Sequence, residues 1–271
     1  MTARRLKVLY YCPPWLGDQV FHLDDVSERA ARPEGISRCY VEPKSNVGFN
    51  ASALAIEDGT DIRGYFQSER YFTDPAAVRR WYRFKDETVK EVRFKYRDVD
   101  FPNSVGVHLR FGDIFGSPKY VIVPPWYYRE ALARVPVKKT VLVFSDDIER
   151  ARKWVSGLRG RLIFVEGNQA HEDLYLMTQC HDFVCSVSTL SWWGAWLISH
   201  PDKTVVAPRE WFRPGYQTKT GLCCSNWIEI RTCRTVLDDY RTILFLQQAR
   251  WILVGKPRRL MARLLGRRRV D

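Results

Sequence analysis

SVGVHLRFGD at 104–113 reads as a strand running into a charged turn. Val105, Val107 and Leu109 alternate with period two, which places His108 and Arg110 on one face at the strand's end. Gly112 follows and leaves room for a ligand to approach the backbone. Four further apolar runs have strand character: TVLVFS (140–145), RLIFVE (161–166), DFVCSV (182–187) and KTVVAP (203–208). Between them WYYREALARV, DIERARKWVSGL, HEDLYLMTQC and LSWWGAWLIS repeat apolar residues at every third or fourth position, as helices do. Alternation of this kind predicts an α/β fold with a Rossmann-like, doubly wound parallel sheet, whose ligands bind at the C-terminal strand ends.

A second stretch points to the same place. In SVSTLSWWGAW (186–196) the hydroxyls of Ser188, Thr189 and Ser191 stand where a strand gives way to a helix, and free backbone N–H groups there suit a phosphate. The tryptophans at 192, 193 and 196, with Gly194 and Ala195 between them, read as packing. A guanidinium at one strand end and a helix N-terminus at another predict a nucleotide or nucleotide-sugar diphosphate between them.

Residues 1–98 have weaker periodicity; LKVLYY (6–11) reads as a strand, and the region as an abbreviated N-terminal α/β lobe. The expected division is 1–98 for this acceptor-side lobe, 99–235 for the sugar-nucleotide domain, and 236–271 for a C-terminal helix and basic amphipathic tail. With 45% hydrophobic residues the 271-residue chain can bury a substantial core. The net charge of +12 is concentrated toward residues 250–271, where basic residues interleave with leucines. Two readings of that tail stand open: an amphipathic segment on an anionic membrane surface, or a solvated tail packed on the domain. No nucleic-acid partner is expected. Seven cysteines without a C-x-x-C pair suggest a reducing compartment and no structural zinc, and no two of the five histidines have metal-ligand spacing. No stretch resembles a signal peptide or a spanning helix.

Several carboxylates have two readings. Asp146 and Asp147, in FSDDIE, are either helix caps or ligands of a divalent ion on a diphosphate. Asp173 sits in the first turn of a helix, where the dipole stabilises any carboxylate, or accepts hydrogen bonds from guanine. Asp113 is a turn-stabilising residue or a general base, and Glu69 is a second candidate base.

Together these strings resemble the α-1,2-fucosyltransferases of glycosyltransferase family 11, over roughly residues 61–212. DIRGYFQSERYF is similar to the family's G-Y-[FW]-Q-S-E-K-Y-F, HLRFGD to H-x-R-R-G-D, FSDDIE to F-S-D-D, EDLYLMTQC to D-L-x-L-M-S-x-C, and STLSWWGAWL to S-T-F-S-W-W-G-A-W-L. The resemblance implies a GT-B-like arrangement of two lobes and an inverting transfer of L-fucose from GDP-β-L-fucose. The acceptor would be the 2-hydroxyl of a galactoside in a surface polysaccharide or lipid-linked oligosaccharide, and no metal or other cofactor is expected. Arg110 would hold the β-phosphate, His108 would lie by the nucleotide, Asp173 would pair with guanine, and Ser188 and Thr189, with Ser191, would cradle the diphosphate. A bacterial, cytoplasmic enzyme, peripheral on the inner membrane face, is the implied setting.

The chain departs from the pattern at Phe111, where the family has its second arginine, at Ile114 in place of tyrosine, and at Ser186 and Val187 in place of Ala-Asn. WLGDQVFH (15–22) only echoes the family's G-G-L-G-N-Q-M-F-Q. These departures leave room for a different GDP-sugar or an inactive homologue. The charge alone leaves room for a basic surface-binding module.

Overall fold

The computed structural model describes residues 8–10, 20–22, 27–29, 37–43, 48–136, 140–214, 216, 222–233, 240 and 244. Two small parallel pairs come first: β1 (Val8–Tyr10) with β2 (Ser27–Arg29), and β3 (Arg38–Val41) with β4 (Thr60–Arg63). Helices α1 (Pro75–Trp81) and α2 (Asp86–Lys95) lead into the main sheet. Its strands are β5 (Ser104–Leu109), β6 (Thr140–Ser145), β7 (Arg161–Phe164), β8 (Asp182–Val184), β9 (Val205–Pro208) and β10 (Ile228–Ile230). Their spatial order is β10-β9-β8-β5-β6-β7, all parallel. The connections carry α3 (Gly112–Gly116), α4 (Pro125–Arg134), α5 (Ile148–Trp154), α6 (Ala170–Gln179) and α7 (Thr189–Leu197).

This is the α/β fold expected, and the five predicted strands and four predicted helices of the main sheet are present, with β7, β8 and β9 shorter than expected. β10 is an added strand in a region without a clear apolar run. The basic tail, 250–271, and the helix expected before it fall outside the described residues, apart from Tyr240 and Leu244. No helix among the described residues is long and apolar enough to cross a membrane.

Strand order fixes where a ligand can bind. From β5 the chain moves outward through β6 to β7, then returns to the other side of β5 and moves outward through β8, β9 and β10. The reversal opens a crevice between the C-terminal ends of β5 and β8. Every residue of β5 is buried, so apolar contact on both faces holds it in place. Burying each of Val105, Val107 and Leu109 contributes about 1.5–3 kcal/mol. Gly106 is required there, since a Cβ would stand 2.5 Å from the Phe183 ring of β8.

α7 is seated by the small residues among its tryptophans. A Cβ on Gly194 would come within 2.8 Å of the Met177 side chain, so this glycine lets α7 approach α6 closely. At the other end of α7 the Lys203 ammonium donates to the carbonyls of Ala195, Trp196 and Ile198 at 2.7, 3.0 and 2.9 Å. Those are carbonyls a helix C-terminus leaves unpaired. Burial pushes the Lys203 pKa down to about 8.

Candidate active site

Arg110 follows β5, and Ser188 follows β8, so the strand reversal brings them to one crevice. There a cavity of about 880 Å³ is lined by Arg110, Asp113, Val187, Ser188 and Thr189 on the sheet side. The opposite wall includes Glu42, Arg63 and Tyr65, and Lys119 and Tyr120 also border the space. The two stretches singled out in the sequence therefore face the same volume.

The helix end is open toward ligand. Ser188 is the N-cap of α7, yet its side chain makes no capping hydrogen bond. The first helical bond is Trp192 N–H to Ser188 C=O at 3.0 Å, so the N–H groups of Thr189, Leu190 and Ser191 precede it. Ser191 itself does not reach the cavity. It is fully buried, and its hydroxyl accepts the Ser186 N–H at 3.0 Å, tying the β8 turn to α7. The Ser186 hydroxyl in turn accepts the Arg110 N–H at 3.3 Å. Ser191 is thus a positioning residue here.

Arg110 is held by two carboxylates. Asp113 Oδ1 accepts from its Nε at 3.0 Å and its Nη2 at 2.9 Å, and Asp146 Oδ2 lies 3.1 Å from Nη1. Asp146 also accepts the N–H groups of Phe111 at 2.9 Å and Gly112 at 2.8 Å, while Asp147 caps α5 through the Arg150 N–H at 3.0 Å. Asp147 is thus a helix cap, while Asp146 braces the turn after β5 and Arg110. Gly112 likewise serves Asp146: a Cβ there would meet Oδ2 at 2.7 Å, so the space expected for a ligand holds a carboxylate. Phe111 turns its ring away from the cavity, 2% exposed and edge-on to Trp154 at 4.9 Å.

His108 and Asp173 lie off the cavity wall. His108 is 3% exposed within β5, where both faces are covered. Burial, the dominant cause, lowers its pKa to about 4; Asp146 opposes the shift and Arg110 adds to it. Asp173 stands in the first turn of α6, as expected, and accepts from Asn168 Nδ2 at 2.9 Å. Burial raises its pKa, the Asn168 bond opposing it. Its neighbour Ala170 does line the cavity, so the start of α6 borders the site. Glu69 is committed elsewhere, its Oε1 accepting the Ser225 N–H at 3.0 Å.

Besides Arg63, which lies in a quoted motif without having been singled out, sequence reasoning missed two charged residues of the cavity. Lys119 places its ammonium 5.2 Å from the Phe212 ring centroid and 5.5 Å from that of Tyr120. Its backbone is pinned by Arg213 N–H to Lys119 C=O at 3.0 Å. Glu42, 7% exposed, accepts the N–H groups of Tyr65 and Phe66 through Oε2 at 2.7 and 3.2 Å. Neither belongs to an apolar period or a motif, so only the fold reveals them. The fold also groups histidines that sequence spacing kept apart: His181, His200 and Asp202 hold ligand-type atoms within 4.8 Å of one another. They lie before β8 and β9, at the end of the sheet opposite the cavity.

The chain is 32% identical over 139 residues to the O-antigen biosynthesis glycosyltransferase WbnK of Escherichia coli, a match covering 47% of this chain and 45% of that protein. It is 28% identical over 187 residues to an α-1,2-colitosyltransferase of Escherichia coli, covering 65% of this chain and 64% of the relative. The chain thus spans about half to two thirds of the length of these relatives. Among solved structures, NodZ α-1,6-fucosyltransferase soaked with GDP-fucose matches at 18% identity and a TM-score of 0.38, over 54% of this chain and 55% of that one. POFUT1 in complex with GDP-fucose matches at 12% identity and a TM-score of 0.38, over 55% and 54%. Residues 53–231 match glycosyl transferase family 11, and the chain belongs to that family.

Proposed function

We propose that this protein is an inverting glycosyltransferase that moves L-fucose from GDP-β-L-fucose to the 2-hydroxyl of a galactose-like residue in a surface polysaccharide or lipid-linked oligosaccharide. The observation that carries this reading is the single cavity shared by Arg110 and the N-terminus of α7 at the strand reversal. Breaking a glycosyl phosphate develops negative charge on the leaving oxygen. A fixed guanidinium and the N–H groups of Thr189 and Leu190, which precede the first helical bond of α7, stabilise that charge more in the transition state than in the substrate. The Ser188 hydroxyl, free of capping duty, adds a donor.

The reaction proceeds without a divalent ion in this reading. The carboxylates at the end of β6 are engaged, Asp146 by two backbone N–H groups and Arg110, Asp147 by the α5 terminus. A second donor sugar, colitose, is set beside fucose by the name of the 28% identical relative.

Purified protein is incubated with individual GDP-sugars and a panel of β-galactosides, with and without chelator. The expected result is an α-linked fucosyl product at the 2-position, formed at equal rate under chelation. Transfer of colitose and not fucose would replace the donor assignment; absence of GDP release from every GDP-sugar would sink the reading.

A further inference from the structure

We propose that Glu42 is the general base that takes the proton from the acceptor hydroxyl, an assignment resting on the transferase reading above. Inversion by direct displacement needs a carboxylate that faces the nucleophile while the leaving phosphate is held elsewhere. Among the described residues, Glu42 and Asp113 are the carboxylates lining the cavity. Asp113 spends Oδ1 on two nitrogens of Arg110, on the phosphate side. Glu42 comes from the opposite wall, one residue past β3.

Three features prepare Glu42 for this role. Its carboxylate is oriented through Oε2, by the Tyr65 and Phe66 N–H groups, while Oε1 is buried and, among the described residues, has no hydrogen-bond partner. A buried acceptor left unpaired is costly, and an acceptor hydroxyl supplies the missing donor. Gly64 admits the side chain: a Cβ there would stand 2.5 Å from Glu42 Cβ and 3.0 Å from Oε2. Phe66, which contributes one of the two N–H groups, holds φ at 45°, a left-handed conformation that bulky residues adopt only under strain. The strained turn and the glycine both serve one carboxylate.

In the step itself the hydroxyl proton passes to Oε1 as the acceptor oxygen bonds to the anomeric carbon. The bond from that carbon to the phosphate oxygen breaks, and its electron pair departs with GDP at Arg110. Glu42 then gives its proton to water.

Glu42→Gln keeps an oxygen for the Tyr65 and Phe66 N–H groups and so preserves the fold. Its expected kcat with GDP-fucose and a galactoside is about 10²–10⁴-fold below wild type, with the GDP dissociation constant within about twofold and an unchanged melting temperature. Azide, which needs no deprotonation, restores consumption of GDP-fucose in the variant and yields the inverted glycosyl azide. Turnover within about threefold of wild type overturns the assignment. So does loss of turnover that azide does not restore, or that comes with lost GDP binding, since both indicate a structural role. A wild-type protein that releases GDP from none of the GDP-sugars fails the transferase reading itself, and Glu42's role with it.

Discussion

The two walls of the cavity are built differently. On the sheet side Arg110, Ser188 and Thr189 each terminate or begin an element, and β5 beneath them is buried throughout. Ser186, Ser191 and Asp146 then bond the two strand ends to each other and to α7. On the other side β3 and β4 form a two-stranded pair whose Val41 and Ile62 are exposed, and Tyr65, two residues past β4, is 82% exposed. Around Glu42, Gly64 and Phe66 that wall is tightly made. The difference fits the division of labour proposed: charge stabilisation of a leaving group depends on donors fixed beforehand, whereas an oligosaccharide acceptor needs open apolar surface and a single oriented base.

The largest expected effect breaks the sheet wall at its cation. Arg110→Ala lowers kcat/KM by roughly 10³-fold or more, about 4 kcal/mol of transition-state stabilisation. The melting temperature stays within a few degrees, since the guanidinium ends at the cavity and Asp146 keeps its bonds to the Phe111 and Gly112 N–H groups. Near-normal turnover in this variant would remove the phosphate role and leave the two walls without the contrast drawn here.

The sheet wall was also the legible one. SVGVHLR, TVLVFS and DFVCSV announce strands by composition, and the STLSWW string announces a helix start, so Arg110, Ser188 and Thr189 could be placed before any fold was known. His108 lies off the cavity wall because β5 is covered on both faces and its two sides are equally dry. Ser191 looked like its neighbours but lies one helical position too deep to meet ligand. Glu42 was illegible for a different reason. It lies in CYVEPKSN, which has no period, and what orients it is backbone N–H groups 23 and 24 residues away, which side-chain patterns do not record.

His108 offers a second, smaller break in the sheet wall, through pH. Its folded-state pKa of about 4 lies below the ordinary value of 6.5, so between these values the unfolded chain binds the proton first. The stability is complete above pH 6.5 and is lost as pH falls toward 4, by about 3 kcal/mol at 1.36 kcal/mol per unit. Urea unfolding at pH 7 and pH 4.5 measures it, and His108→Gln flattens the slope by that amount. An equal slope in the variant would mean that the acid lability comes from other groups.

The smallest effect sharpens the contrast at the cavity's edge, where Lys119 belongs to neither wall's rigid part. Arg63 is paired with Asp61 at 2.8 Å, and Arg110 with Asp113 and Asp146, while Lys119 has aromatic rings and, among the described residues, no carboxylate beside it. A diphosphate entering the cavity therefore meets Lys119 as the cation least neutralised by its surroundings. The residue is only partly buried, so solvent screens it. Lys119→Met weakens GDP binding about tenfold, roughly 1.4 kcal/mol, and makes the affinity less sensitive to salt. Guanosine, which lacks the phosphates, binds both forms alike, and Lys119→Arg stays near wild type because the charge over Tyr120 and Phe212 is kept. Titration calorimetry with GDP and with guanosine separates the cases: equal loss for both ligands would place Lys119 at the nucleoside, and no loss for either would leave Arg110 and α7 as the whole of the anion site.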